Sequence, residues 1–158
     1  MKLIHRILCP LDFSPASDLA FRYAEQLAES VGASLVLVHA FDVPATLDLV
    51  GQWKPADPHL QQQLDQVQTS LPAERMRREM HAGSPGEVIC WLAQQRECDL
   101  IVMGTHGRTG LKHLLFGSTA EHVLRHARCP VLTIRYRAAD EPPLPEPVVL
   151  PQPPPRFM

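Results

Sequence analysis

The residues with the clearest chemical potential lie between an apolar run that ends at Met103 and the next helical pattern. This segment, 104–118, reads GTHGRTGLKHLLFGS, and no acidic residue follows it until Glu121. It carries four side chains that are or can become positively charged, which are His106, Arg108, Lys112 and His113. Glycines let backbone N–H groups approach an anion, and Ser118 opens a helix whose N-terminus attracts negative charge. The segment therefore predicts a cradle for phosphate.

Two common phosphate-binding motifs do not account for this segment. No glycine in it is followed by Lys and then Ser or Thr, as a Walker A loop requires, and the glycines do not follow the G-x-G-x-x-G spacing. The length of the connection favours function, because strand-to-helix connections in α/β units usually have about two to six residues. On the residues alone, an alternative stays open in which the glycines form turns and Ser118 is only a helix N-cap.

A second candidate site residue follows the first apolar run of the chain. Asp12 stands in the sequence Cys-Pro-Leu-Asp-Phe-Ser, at 9–14, where a predicted strand ends and a helix begins. In an open parallel sheet, ligands bind outside the carboxyl ends of the strands, at the point where the strand order reverses. A carboxylate there can accept hydrogen bonds from ribose hydroxyls or from an adenine amine. A structural role as a capping or turn aspartate is an equally favoured alternative.

The elements that must position these residues alternate in type along the chain. Short apolar runs rich in β-branched residues or leucine are typical of strands buried on both faces of a parallel sheet. Four such runs predict strands, at Ile4–Cys9, Ser34–Phe41, Asp99–Met103 and Pro130–Tyr136. A weaker and more polar run at Met76–His81 predicts an edge strand.

Helical patterns fill the intervals between these strands. Pro15–Val31 has apolar residues at helical spacing, with Ser14 as its N-cap and Gly32 just past its end. The glutamine-rich stretch from Leu60 to Leu71 predicts an amphipathic helix. Two capping boxes predict the starts of further helices, with their N-caps at Ser84 and Ser118. The alternation predicts an α/β fold, in which a five-stranded parallel sheet carries helices on both faces.

Composition and charge exclude several classes of protein. The chain has 158 residues, 45% of them hydrophobic, which suits one soluble domain. Its formal net charge of -2 argues against a nucleic-acid binder that relies on bulk charge. No run approaches the roughly 18 apolar residues of a membrane span, and Met1–Arg6 does not resemble a signal peptide. We therefore expect a cytoplasmic protein with no nucleic-acid and no membrane partner.

The four cysteines and the C-terminal segment lead to two separate predictions, one about disulfide and metal sites and one about the extent of the folded domain. Cys9, Cys90, Cys98 and Cys129 form no CxxC pair, which predicts neither a disulfide nor a metal site. From Asp140 to Met158, eight of nineteen residues are proline, so this segment cannot form a hydrogen-bonded ladder or a core. The sequence thus predicts a nucleotide-binding domain at 1–137 and a proline-rich, mobile tail at 138–158.

The glycine spacing resembles that of a known family. Gly104-x-x-Gly107, followed after nine residues by Gly117-Ser118, resembles the G-2x-G-9x-G-[ST] signature of the universal stress protein family. This spacing brings Gly117 back beside Gly104 around one ligand. The segments 10–14, 37–40 and 127–132 also resemble the opening, second strand and closing strand of that family, so that the resemblance covers roughly residues 2–137.

This resemblance implies a Rossmann-like open sheet in the order 3-2-1-4-5 and membership of the ATP-binding branch of the family. By position, adenine and ribose would be contacted by Pro10, Leu11 (through its backbone) and Asp12. Ala40 would frame the adenine. The ribose and phosphate path would be lined by Met103, Gly104, His106, Gly107 and Arg108. The phosphates, accompanied by Mg²⁺, would be held by Gly117, Ser118 and Thr119.

The resemblance also implies a homodimer in which the fifth strand pairs with its copy. The residues of that strand edge are Val131, Leu132, Thr133, Ile134 and Tyr136. A monomer would leave this apolar edge open to aggregation.

The function that these features favour is an ATP-binding regulator of the stress response, in which nucleotide occupancy changes stability or the choice of partner. It is not expected to be a dedicated enzyme, and no catalytic residue and no protein metal ligand is assigned. One alternative is a slow ATP hydrolase or phosphotransferase that uses the charges of Arg108 and Lys112, with His106 or His113 as a base. Another is a nucleotide-free dimeric interaction module whose tail is a ligand for a proline-binding domain.

Overall fold

The apolar runs of the sequence form the strands of one parallel sheet. The computed structural model describes residues 3–41, 57, 59–106, 116–137, 139, 143 and 145. Its strands are β1 (Arg6–Pro10), β2 (Ser34–Phe41), β3 (Met76–Ala82), β4 (Leu100–Gly104) and β5 (Val131–Ile134). They lie in the order β3-β2-β1-β4-β5, and every pairing is parallel. The predicted α/β fold and the strand order 3-2-1-4-5 are confirmed.

Helices cover both faces of this sheet. They are α1 (Pro15–Val31), α2 (Leu60–Asp65), α3 (Pro85–Gln95) and α4 (Ser118–His126), with a short 3₁₀ turn at Ala73–Arg75. Side chains alternate along each strand, so that Leu35 and Leu37 pack towards α1, whereas Val36 and Val38 pack towards α3 and α4. Within the described residues, none of the helices combines the length and apolarity needed to span a bilayer.

Helix α1 begins and ends where its sequence signals predict. The Ser14 hydroxyl oxygen accepts a hydrogen bond from the backbone N–H of Ser17 at 3.2 Å, which satisfies one of the free donors of the first turn. Gly32 has a φ of 69°, a left-handed conformation that glycine adopts without steric cost. The guanidinium of Arg75 then donates to the carbonyls of Ala28 and Ala33, so that the C-terminal end of α1 has polar partners.

Helix α2 is shorter than its apolar spacing predicts. The spacing predicts a helix that continues to Leu71, but α2 ends at Asp65. Beyond it, the Thr69 hydroxyl and the Ser70 N–H donate to a carboxylate oxygen of Glu25 on α1, at 2.8 and 2.7 Å. These tertiary hydrogen bonds fix the chain in a non-helical conformation, while Leu71 is still buried in the core.

Both predicted capping boxes differ from the structure. Ser84 is the N-cap of α3, but its side chain makes no capping hydrogen bond. Ser118 is not an N-cap at all, because α4 begins one residue earlier than predicted, with Gly117 as the cap. The Gly117 carbonyl accepts from the N–H of Glu121 at 3.0 Å, which is the first hydrogen bond of the helix. Ser118 is therefore the first helical residue, and its N–H belongs to the free first turn.

The two edges of the sheet have different chemistry. At β3, which is an edge strand as predicted, the Glu79 carboxylate is bound by Arg96, the residue just after α3, at 2.7 and 3.0 Å. It is also 2.9 Å from Arg77 and 2.9 Å from His81. At the opposite edge, β5 exposes 41% of Leu132, and Tyr136 beyond it is 50% exposed. Charged side chains at the β3 edge disfavour the addition of another strand, whereas the apolar side chains at the β5 edge permit it. The predicted tail, at 138–158, lies outside the described residues except for 139, 143 and 145.

Candidate functional site

A cavity of about 320 Å³ opens at the carboxyl ends of β1 and β4. These two strands are neighbours in the sheet, and the strand order reverses between them. The chain adds β2 and β3 on one side of β1, and then β4 and β5 on its other side. Open α/β sheets bind their ligands at this switch point. The volume lies at the lower end of the range of small-molecule pockets, roughly 300–1,000 Å³.

Most of the residues predicted from the sequence line this cavity. Ten of the twelve do so, namely Pro10, Leu11, Asp12, Ala40, Met103, Gly104, His106, Gly117, Ser118 and Thr119. The other two, Gly107 and Arg108, lie outside the described residues, as do Lys112 and His113. The sheet therefore brings together three segments, 10–12, 103–106 and 117–119, that are far apart in the chain.

The lining also contains six residues that sequence reasoning missed, which are Ser17, Val38, Pro85, Ile89, Thr105 and Ala120. Two of them had a usable signal. Val38 lies two residues before Ala40 on the same strand, and therefore faces the same side of the sheet. Pro85 opens a helix after a strand, which places it at the same end of the sheet as Asp12. Nothing in the sequence marks Ile89 as a cavity residue rather than a core residue.

The residues on either side of the 106–116 segment, Thr105 and Gly117, meet at the cavity. The N–H of Gly117 donates to the Thr105 carbonyl at 2.7 Å, and the N–H of Thr105 donates to the Ile134 carbonyl at 3.1 Å. The chain that leaves β4 thus returns to the end of β4 before α4 begins. This return places Gly117 beside Gly104, as the glycine spacing predicts.

The two described glycines of the motif have different structural requirements. A Cβ on Gly104 would lie 3.0 Å from the backbone carbonyl carbon of Ala16 and 3.1 Å from its Cβ. Gly104 is therefore needed for the close packing of β4 against the first turn of α1. Gly117 has a φ of -71° and a ψ of 163°, a conformation that any residue adopts. Backbone strain therefore does not account for glycine at position 117.

The loop between β1 and α1 holds Asp12 at the cavity wall. One oxygen of the Asp12 carboxylate accepts the N–H of Ser14 at 3.0 Å, and the N–H of Asp12 donates to the Ser17 hydroxyl at 3.3 Å. A carboxylate has about four acceptor positions, so it can bind a ligand while it forms this turn. The structural and the ligand-binding interpretations of Asp12 are thus compatible.

The backbone of Leu11 is less available than the family resemblance implies. Its N–H donates to the Val38 carbonyl at 2.8 Å, and its carbonyl accepts from the His39 ring at 2.7 Å. Of the Leu11 backbone groups, a ligand could bond only to the second lone pair of the carbonyl oxygen. The next residue but one, Phe13, has a φ of 63°. This left-handed conformation costs a bulky residue roughly 1–2 kcal/mol.

The field in the cavity favours an anion at one end. The first turns of α1, α3 and α4 border it through Ser17, Pro85 and Ser118. The N–H groups in the first turn of a helix carry partial positive charge, although at α1 the Ser17 N–H already donates to the Ser14 hydroxyl. Asp12 is the one carboxylate in the described lining, and it follows β1, whereas Ser118 and Thr119 belong to the helix that follows the neighbouring strand β4. The cavity can thus take a ligand that combines an anionic part with hydrogen-bond donors.

The cysteines do not supply a nucleophile to this site. All four are free thiols. Burial raises the pKa of Cys98 to about 12, and burial also raises the pKa of Cys9, Cys90 and Cys129. These groups are therefore protonated at neutral pH, and a thiol is a weak nucleophile. Among the residues that the structure describes, no group of three or more His, Cys, Asp or Glu side chains could hold a metal ion.

Comparisons with known proteins give consistent results. The model of the universal stress protein family matches residues 4–135. Universal stress protein MJ0531 of Methanocaldococcus jannaschii is 33% identical over 141 residues, which cover 84% of this chain and 83% of that protein. The solved structure of the universal stress protein UspA from Lactobacillus plantarum has a TM-score of 0.69 and 30% identity, and the match covers 84% of this chain and 98% of that one.

A more distant solved structure is a universal stress protein in complex with cAMP, with a TM-score of 0.61 and 20% identity. That match covers 84% of this chain and 97% of the other. With its strand order, its switch-point cavity and a family match over most of its length, this chain belongs to the universal stress protein family.

Proposed function

We propose that this protein binds an adenine nucleotide, ATP with Mg²⁺ in the first place, and acts in the stress response through its nucleotide-dependent state. The observation that carries the proposal is the cavity at the switch point, which joins Asp12 to the start of α4. One wall of this cavity offers a carboxylate, and the other offers free helical N–H groups and the hydroxyls of Ser118 and Thr119. A nucleotide has the complementary groups, since it carries hydroxyl and amine donors at one end and phosphate at the other.

The lining suggests how the nucleotide would be divided among the segments. Val38, Ala40 and Ile89 give an apolar surface that suits a flat base. Asp12 would accept hydrogen bonds from the ribose hydroxyls or the adenine amine. Gly117 and Ser118 would face the phosphates, because they form the start of α4. Mg²⁺ would be held chiefly by the phosphates, because the described residues supply no ligand cluster for it.

The relative that was solved with cAMP supports an adenine nucleotide as the ligand class. The same relative makes a nucleotide with a single phosphate the strongest competitor of ATP. ATP and a nucleotide with one phosphate differ in the negative charge that they would bring to the start of α4. The ratio of their affinities therefore tests whether phosphate binds there.

A second function, slow ATP hydrolysis, has less support. A hydrolase needs a group that positions water or takes its proton, together with charge on the γ-phosphate. In the described lining the titratable candidates are Asp12 and His106, and the Nδ1 of His106 is 3.0 Å from the Thr105 hydroxyl. Three further candidates, Arg108, Lys112 and His113, lie outside the described residues, so the described part of the site supports ligand binding more directly than hydrolysis. We therefore propose a binding protein rather than a dedicated enzyme.

Two further expectations belong to this proposal. The exposed apolar side chains of β5 support a homodimer through that strand, because an open edge of this kind favours pairing. We also expect the protein to act in the cytoplasm.

The proposal is tested with the wild-type protein. Freshly purified protein is denatured and the released nucleotide is identified, and calorimetric titrations compare ATP, cAMP, AMP and adenosine, with and without Mg²⁺. We expect affinity to fall as phosphates are removed. Equal affinity for adenosine and ATP would contradict the phosphate cradle. If none of the four binds, the nucleotide-free interaction module becomes the better interpretation. Turnover of ATP that a single side-chain change abolishes would instead favour the hydrolase.

A further inference from the structure

A buried histidine lies directly behind the cavity. His39, on β2, is 5% exposed and points to the face of the sheet covered by α1. Its neighbours in the strand, Val38 and Ala40, line the cavity on the opposite face. The ring of His39 therefore does not reach the cavity, although its backbone forms part of the cavity wall.

His39 contacts the residues on both sides of Asp12. Its Nδ1 is 2.7 Å from the carbonyl oxygen of Leu11, and because a carbonyl can only accept, Nδ1 carries the hydrogen and donates. The ring of Phe13 packs against the His39 ring at a centroid distance of 5.1 Å and an interplanar angle of 39°. One side chain thus holds the residue before Asp12 by a hydrogen bond and the residue after it by a ring contact.

The loop requires such support because its backbone is strained. Phe13 has a φ of 63°, which an aromatic residue rarely adopts unless its surroundings fix it. The strained residue directly follows Asp12, so any relaxation of Phe13 changes the direction of the Asp12 carboxylate. Within the loop, the Asp12 carboxylate is also held by the N–H of Ser14. That local hydrogen bond moves with the loop. The loop is also tied to β2 by the Leu11 N–H, which donates to the Val38 carbonyl, and to α1 by the Asp12 N–H, which donates to the Ser17 hydroxyl. His39 adds a second contact at Leu11 and extends the connection with β2 to Phe13.

We propose that His39 is a positioning residue of the nucleotide site, which fixes the Asp12 carboxylate towards the cavity by holding Leu11 and Phe13 against β2. This inference rests on the proposed function, in which Asp12 binds the nucleotide. His39 itself touches no ligand, and its effect passes through the 11–13 backbone. The competing interpretation is that His39 merely fills space in the core beside α1.

Three substitutions of His39 separate these interpretations. His39→Leu removes the hydrogen-bond donor and fills part of the same space with an apolar side chain. His39→Asn places an amide N–H near the position of Nδ1 and so keeps the hydrogen bond to Leu11. His39→Gln is the matched control, because its amide lies near the position of Nε2 and does not reach the Leu11 carbonyl. A role in filling space predicts similar behaviour for the Asn and Gln variants, whereas positioning predicts that only Asn retains function.

The first measurement is amide hydrogen exchange of the ligand-free proteins. We expect His39→Leu and His39→Gln to speed exchange at the Ser14 amide by about ten-fold or more, because the turn around Asp12 loosens. The amides in the middle of α1 are the internal control and should exchange as in the wild type. His39→Asn should leave the Ser14 amide close to its wild-type rate. Unchanged exchange at Ser14 in all three variants would overturn the inference.

The second measurement is a double-mutant cycle on ATP affinity with Asp12→Ala. We expect His39→Leu to weaken ATP binding by about five-fold or more in the wild type, but by less than two-fold when Asp12 is already alanine. Effects that simply multiply would show that His39 does not act through Asp12, and would overturn the inference. If the wild-type protein binds no nucleotide, the proposed function is wrong. The exchange measurement alone then decides whether His39 holds Asp12 in place.

Discussion

The backbone N–H of Gly117 donates to the carbonyl of Thr105 across 2.7 Å, although the whole 106–116 segment lies between them. This hydrogen bond closes the excursion that follows β4 and sets the first turn of α4 beside the end of that strand. Because Thr105 is itself bonded to Ile134 on β5, the position of α4 is tied to two strands. The closure, rather than the conformation of any one glycine, forms the α4 wall of the proposed nucleotide site.

The two glycines that flank this closure should respond differently to substitution. Gly117→Val should abolish ATP binding, since the new side chain would occupy the phosphate position, and it should lower the free energy of unfolding by no more than about 1 kcal/mol, because the backbone conformation suits any residue but valine is a poor N-cap. Gly104→Ala should instead lower the free energy of unfolding by about 1–3 kcal/mol, because its Cβ would press on the Ala16 backbone. Calorimetric titration and denaturant unfolding of both variants measure these effects. If Gly117→Val binds ATP as well as the wild type does, the cradle is not at the start of α4.

Two helix-starting serines provide a matched pair. Ser14→Ala should destabilise the protein by about 1 kcal/mol, because the Ser14 hydroxyl caps α1. Ser118→Ala should leave stability nearly unchanged, because Gly117 is the cap of α4. It should weaken ATP binding by about 1.5–3 kcal/mol through the loss of one hydrogen bond to a charged group. A clear loss of stability in Ser118→Ala, with unchanged ATP affinity, would support a capping role instead.

Acid should destabilise the protein in part through Glu79. Hydrogen bonds from Arg96 are the main reason that the pKa of Glu79 falls from an ordinary value of 4.5 to about 2, and contacts with His81 and Arg77 add to this effect. Since the folded state holds the proton less tightly, this carboxylate stabilises the fold above about pH 4.5, and the contribution is lost as the pH falls towards 2.

Glu79→Gln should therefore be less stable than the wild type at pH 7, by about 1–3 kcal/mol. The difference should shrink as the pH falls below about 4.5, and urea unfolding across this range measures it. Glu121→Gln is the control, because Glu121 pairs with Arg125 on the surface of α4, where its side chain is 56% exposed. That variant should lose much less stability at pH 7. A constant difference between Glu79→Gln and the wild type from pH 7 to pH 2.5 would contradict the prediction.

The apolar edge of the sheet should mediate dimerisation. Leu132→Asp places a charge on β5, at a side chain that is 41% exposed, and should give monomers or insoluble protein. Trp91→Gln is the control, since Trp91 is also exposed but contacts His81 at the opposite edge of the sheet. That variant should sediment like the wild type. Sedimentation of the wild type as a monomer at micromolar concentration would contradict the dimer.

Truncation after Ala138 should leave the melting temperature nearly unchanged. The removed segment has no apolar periodicity and follows the last strand, so it contributes no side chains at core spacing. Thermal unfolding of the full chain and the truncated chain gives the comparison. A drop of many degrees would show that the tail packs against the domain.

The sequence by itself determined the elements whose signals are local. The cap residues Ser14 and Gly32 set both ends of α1, because the hydrogen bonds that begin and end a helix are made by adjacent residues. The nearly continuous apolar run of β2 set the bounds of that strand, because a strand buried on both faces needs apolar side chains at successive positions. The nine-residue glycine spacing also predicted that Gly117 returns to Gly104. It could do so because the two ends of a parallel strand-to-helix connection must lie at the same end of the sheet.

Tertiary contacts decided the features that local signals could not. The carboxylate of Glu25 ended the helical pattern before Leu71 by binding Thr69 and Ser70, which no spacing of apolar residues reveals. Packing of Ala16 against Gly104 assigned that glycine a structural role, while the early start of α4 made Gly117 the cap in place of Ser118. The support that His39 on β2 gives to the Asp12 loop requires β1 and β2 to lie side by side in the sheet. Each of these outcomes comes from side chains distant in the chain, whose energies are set only when the fold brings them together.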